Sequence, residues 1–240
     1  MRKRIHALGL APLYSGVLAL FLAAAVLGSN VTTLATKNQQ IEQQCCVVID
    51  AGHGLPDGGA TSCTGALESD INLQIAKRLE GVLHLLGYHT VMLRNDENAI
   101  FTEGSSIAAK KVSDIRNRVN TINNTKGAIL VSIHQNHFND GRYSGAQIFY
   151  SATNGSRDLA DKIQAALIKH INPSNNRKIK KASGIYLMEK ISCTGVLVEC
   201  GFLSNPEESV MLENDLYQKN LCCVIGTAIG SYINTLSAVS

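Results

Sequence analysis

Two histidines and two glutamates in this chain occupy positions where side chains do chemistry. His53 follows the apolar run Cys46-Val47-Val48-Ile49-Asp50-Ala51-Gly52 and is itself followed by Gly54. His134 ends Gly127-Ala128-Ile129-Leu130-Val131-Ser132-Ile133, the most apolar stretch of the body. Glu199 ends Gly195-Val196-Leu197-Val198. Glu68 stands at the start of a helical pattern. The three apolar runs read as buried strands. In a sheet whose strands run mostly one way their exits line one edge, where open α/β sheets place their sites. Two imidazoles and a carboxylate make a catalytic zinc set with one position left for water. A further carboxylate outside that set can take the water's proton and pass it to a leaving nitrogen. Such a group of four suits hydrolysis of an amide. Singly, each residue has an ordinary explanation: a turn histidine, or a glutamate at the favourable end of a helix dipole.

The elements that must position these residues alternate along the chain. Ile71, Ile75, Leu79, Val82, Leu83 and Leu86 recur at helical spacing, with Ser69 or Asp70 as cap and Gly87 as stop. His89 to Arg94 reads as a strand, and Ile107, Lys111, Ile115, Val119 and Ile122 as a second amphipathic helix. Ser144 to Ser151 alternates like a strand, Leu159 to His170 reads as a helix, and Asn172 to Ser183 as a polar, basic loop. Ile185 to Met188 reads as a short strand. Ser204-Asn205-Pro206-Glu207-Glu208 is a helix start, and a last helix runs from about Leu216 to Ile233. The pattern predicts an α/β fold: a single domain over residues 45–237, with a mostly parallel, mixed sheet of about six strands flanked by helices.

Composition narrows the setting. The net charge of +3 is too small to argue for nucleic acid, and 45% hydrophobic residues suit a globular core. Arg2-Lys3-Arg4 precedes an almost unbroken apolar stretch over residues 7–28. Residues 1–29 therefore read as a signal peptide or a membrane anchor, and both predict export to the outer face of the membrane. Residues 30–44 read as a linker. Seven cysteines, without CxxC spacing, argue against a cysteine zinc site, and most read as small buried hydrophobes.

Six pieces carry a family resemblance: Val48 to Gly54; Leu67-Glu68 with Asn72-Leu73; Gly87-Tyr88 leading to Leu93-Arg94; Ile115 to Asn123; Ser132 to Asn136; and Leu197 to Asn205. In this order they resemble the zinc-dependent N-acetylmuramoyl-L-alanine amidases of the amidase-3 type, over nearly all of residues 46–235. The resemblance implies a fold like the zinc amidases and carboxypeptidases. It implies one Zn²⁺ held by His53, Glu68 and His134, with Glu199 as general acid/base and Asn136 facing the substrate. Arg94 reads as structural and His137 as a rim residue. The implied substrate is peptidoglycan, cut between N-acetylmuramic acid and L-alanine. The short body without wall-binding repeats is most similar to the germination-specific, spore-cortex branch. The long insertion that carries a blocking helix in division amidases is absent between Tyr150 and Ile185, so regulation would fall to an activating envelope partner or to metal loading. Ala51, Ser69 and Thr194-Gly195 depart from the family's usual Pro, Lys and Pro-Ala, and none is an implied ligand. Two other readings stand beside this one: a catalytically silent, membrane-anchored peptidoglycan-binding module, and a cysteine hydrolase using Cys63 or Cys200.

Overall fold

The computed structural model describes residues 45–239, with side chains to residue 236. The signal or anchor segment and the whole linker over residues 30–44 lie outside the described residues. Six strands are β1 (Cys46–Ala51), β2 (His89–Met92), β3 (Ala128–Asn136), β4 (Gln147–Tyr150), β5 (Lys180–Lys181) and β6 (Thr194–Phe202). Six helices are α1 (Glu68–Leu85), α2 (Ile107–Asn124), α3 (Ser156–His170), α4 (Tyr186–Lys190), α5 (Pro206–Glu213) and α6 (Asp215–Val239). No helix among the described residues is long and apolar enough to cross a membrane.

The sheet order is β2-β1-β3-β6-β4-β5. The first four strands run parallel, β4 is antiparallel to β6, and β5 follows β4. The mixed, mostly parallel sheet predicted from the sequence is what forms. Strand period decides the core: Val47, Ile49, Val131 and Val198 face α1, α3 and α6, while Val48, Leu130 and Leu197 face α2 and α4. Both faces are covered, so these strands read as continuous apolar runs. From β1 the chain crosses to β2 on one side, and β3 lies on the other. The exits of β1 and β3 therefore flank a topological switch point, the crevice where such sheets bind ligands.

Three local expectations are corrected. Residues 186–190 form helix α4 instead of a strand, since Leu187 and Met188 are buried against the α2 side of the sheet. The sheet edge is taken instead by β5, inside the stretch read as loop. Helix α1 starts at Glu68, one residue before the expected caps, and has no side-chain cap. The loop before it supplies acceptors: Glu68 N donates to Ala60 O (2.9 Å) and Ser69 N to Gly58 O (3.0 Å). The helix start read at Ser204 to Glu208 holds, with Asn205 capping α5, and Ser106 caps α2.

A buried ion-pair network ties the layers at the crevice. Arg118 on α2 is 2% exposed and pairs with Asp50 on β1 and with Asp114 Oδ2 at 2.7 Å. Asp50 also accepts from Ser132 Oγ at 2.6 Å, which joins β3. Burial alone would raise the Asp50 pKa, but the Arg118 guanidinium, with His134 and the Ser132 hydroxyl, holds it below the ordinary value. A depressed folded-state pKa adds stability above the unfolded value of roughly 4 and loses it as pH falls. Asp50→Asn is expected to lose about 3 kcal/mol at neutral pH and to flatten the acid arm of the stability profile, measured by urea denaturation from pH 7 downward.

Candidate metal centre

The exit of β1 places His53 by force. His53 has φ of 61°, a left-handed conformation that costs a non-glycine residue about 1–3 kcal/mol. The three carbonyls around it are all taken by side chains. Ala51 O accepts from Arg94 Nε (2.8 Å) and Arg118 Nη1 (2.9 Å). Gly52 O accepts from Arg94 Nη2 and Asn72 Nδ2, both at 3.1 Å. His53 O accepts from Arg118 Nη2 at 2.6 Å. Arg94 is thus structural, as its motif position suggested.

The imidazole so placed lies between two carboxylates. His53 Nε2 is 3.3 Å from Glu68 Oε2, and Nδ1 is 3.0 Å from Asp57 Oδ2. His134, near the end of β3, puts Nδ1 3.1 Å from Glu68 Oε1. The two rings meet edge to face at 5.0 Å. Glu68, buried, also accepts from Ala60 N (3.0 Å) and Gln135 N (3.2 Å), which fixes both oxygens. Two glycines make room. A Cβ on Gly52 would lie 2.2 Å from His134 Nε2, and one on Gly59 2.5 Å from Glu68 Oε2.

One donor atom each from His53, Glu68 and His134 lies within 4.8 Å of the others. Two imidazole nitrogens and a carboxylate are the donor set of a catalytic zinc site, so these residues fit such an ion. Asp57, on the far nitrogen of His53, is the outer carboxylate that fixes tautomer and aim in such sites. The charges agree. Burial opposes ionisation of Glu68, but hydrogen bonds from both imidazoles outweigh it and hold the carboxyl well below its usual range. Burial likewise opposes charge on His53, and Glu68 and then Asp57 overcome it, raising its pKa to about 9.

Glu199 pairs directly with His134 across the β3–β6 ladder, so both side chains leave the same face. Its Oε2 is buried and has no hydrogen-bond partner. Burial raises its pKa to about 7, against the pull of His134, with Glu68 adding and His53 opposing. Asn136 ends β3 beyond a register shift, half-buried, its carbonyl accepting from Leu203 N at 2.8 Å. His137 is exposed at the rim. Cys200, next to Glu199, points into the opposite core layer, and burial pushes its thiol well above the ordinary value, which leaves it inert as a nucleophile.

Two contributors escaped the sequence reading. Asp57 stands four residues after His53 in a Pro-Asp-Gly turn, where an acid looks like turn chemistry. Arg118 sits beside Val119 on the buried stripe of α2, and a charge on an apolar stripe was the available signal.

Comparison with known proteins places the chain. Residues 47–231 match the family model described as Amidase_3, N-acetylmuramoyl-L-alanine amidase. The germination-specific N-acetylmuramoyl-L-alanine amidase of Bacillus subtilis (strain 168) is 35% identical over 188 residues, covering 78% of each chain. Among solved structures, the CwlD amidase from Clostridioides difficile, in complex with the GerS lipoprotein, superposes with a TM-score of 0.77 at 33% identity. That match covers 80% of this chain and 99% of the other. The catalytic domain of CwlV from Bacillus (Paenibacillus) polymyxa var. colistinus matches with a TM-score of 0.66 at 26% identity, over 79% of this chain and 98% of that one. On these matches the chain belongs to the Amidase_3 family and is a hydrolase of the N-acetylmuramoyl-L-alanine amidase class.

Proposed function

We propose that the chain is a zinc-dependent amidase of spore-cortex peptidoglycan, with His53, Glu68 and His134 as metal ligands and Glu199 as general acid/base. It cuts the amide between the lactyl group of N-acetylmuramic acid and L-alanine, removing stem peptides before lactam formation. The observation that carries the reading is the buried, unpartnered Oε2 of Glu199 beside the His–Glu–His cluster. A buried carboxylate oxygen without a donor costs free energy that a merely structural role would not retain.

When bound, zinc supplies a water of pKa about 7 and polarises the scissile carbonyl. The protein does the rest. Glu199 takes the attacking water's proton on its carboxylate and returns it to the alanine nitrogen as that leaves. A buried carboxyl whose surroundings favour the protonated form is suited to pass a proton in both directions. Asp57 keeps His53 aimed, and Asn136, at the end of β3, contacts the substrate.

The cortex assignment is supported by the germination-specific relative in Bacillus subtilis. The basic and apolar N-terminal segment supports export and attachment to the membrane. The C. difficile relative was solved with a lipoprotein, which supports an envelope protein as the activating partner here.

Glu199→Gln is expected to keep zinc and to lose turnover by several orders of magnitude, read as metal content beside release of stem peptides from cortex glycan. Near-normal turnover would remove Glu199 from its role. His53→Ala is expected to lose both metal and activity, and chelation of the unaltered protein should abolish release; equal release with and without chelator would end the zinc reading. Gly52→Ala is expected to displace the His134 ring and to lower zinc affinity at least about tenfold in a competition titration with a chelating dye.

A further inference from the structure

The amide cut by this family has a sugar on one side and alanine on the other, so a glycan must leave the crevice in one direction. We propose that Phe138 and Tyr143 form an aromatic corner that seats a sugar ring of that glycan, a proposal that rests on the site reading above. Both rings are exposed, at 54% and 46%. Their centroids lie 4.9 Å apart at 81°, so one ring offers a face and the other an edge. Beneath them Tyr143 stacks on buried Phe202 at 6.3 Å, and the Arg177 guanidinium lies 4.4 Å from the Phe202 centroid.

The corner is built rigidly. Phe138 N donates to Ser204 Oγ (3.1 Å), Asn205 Nδ2 to Gly141 O (2.9 Å) and Gly145 N to Glu208 Oε1 (2.8 Å). Arg177 Nε donates to Ser144 O at 2.7 Å. Rings held this way lose little freedom when a ligand arrives.

The corner is also continuous with the crevice. Phe202 pairs with Asn136 in the β3–β6 register, three residues beyond Glu199. A groove of about 550 Å³ begins at Phe138, with Thr61, Ser62, His137, Asn139 and Ser204 also in its wall. Thr61, in that wall, follows Ala60 in the chain, and the Ala60 N–H donates to Glu68 Oε2. A pyranose presents C–H faces and a rim of hydroxyl and acetamide groups. Aromatic faces, negative at their centres, receive the C–H groups, and the hydroxyls and amides along the groove meet the rim. A second groove, lined by His53 itself with Lys111, Val112, Ile115, Arg118 and aspartates, carries no Phe or Tyr.

The chain has no Trp, so Phe138→Trp introduces a single reporter into the corner. The probe is a peptide-free oligosaccharide of alternating N-acetylglucosamine and N-acetylmuramic acid, which has no amide to cut. Titration of the full chain, as isolated, is expected to give saturable binding by calorimetry, and the Phe138→Trp chain a saturable change in Trp emission. The Phe138→Ala/Tyr143→Ala double variant, with its thermal transition retained, should bind the oligosaccharide at least about tenfold more weakly. Equal affinity in the double variant, no binding by the unaltered chain, or weakened binding of free stem peptide in place of glycan would each overturn the proposal. Because binding is read without turnover, ring-dependent glycan binding beside stem-peptide release that is equal with and without chelator refutes the zinc reading alone. An active chain whose glycan affinity ignores both rings refutes this proposal alone.

Discussion

Two buried guanidinium groups hold the exit of the first strand. Arg94 and Arg118 between them occupy the carbonyls of Ala51, Gly52 and His53, where the parallel ladder has run out of partners. Arginine suits this place because its planar fork supplies several donors in fixed directions and keeps its charge when buried. The cost of burying that charge is offset by Asp50 and Asp114, themselves tied to β3 and α2. The unfavourable backbone at His53 persists because its surroundings over-determine it. Everything downstream, from the Glu68 bridge to the placement of Glu199, assumes an imidazole that does not wander.

Around that fixed point the crevice shows a division of labour. Helix α1 brings a carboxylate whose oxygens are saturated by backbone and imidazole donors, so it behaves as a permanent anion. Strand β6 brings one whose buried oxygen has no donor and whose proton is loosely held near neutrality. The same side chain, glutamate, is given opposite characters by its surroundings, one firmly ionised and the other readily protonated.

The central strands were legible because β1, β3 and β6 are unbroken apolar runs, and a one-residue shift in any of them would bury the wrong side chains. That made the exits at His53, His134 and Glu199 visible too. Glu68 was placed at its helix start, but its burial was not visible, since the carbonyls of Gly58 and Ala60 that replace a cap come from the loop. Ile185 to Met188 misled because four apolar residues carry no period; only their packing against the α2 side makes them a helix. Asp57 and Arg118 were hidden for a shared reason: each matters through partners that only the folded chain brings near, Lys111 and His53 for one and the β1 carbonyls for the other.

The register of β3 against β6 has a further consequence. The four chemically active positions are spread over almost 150 residues and meet only when the last of the central strands has docked beside His134. Such long-range pairing comes late in assembly. In the reading proposed above, the proton-transfer carboxylate is therefore the last of the four groups to be brought into place.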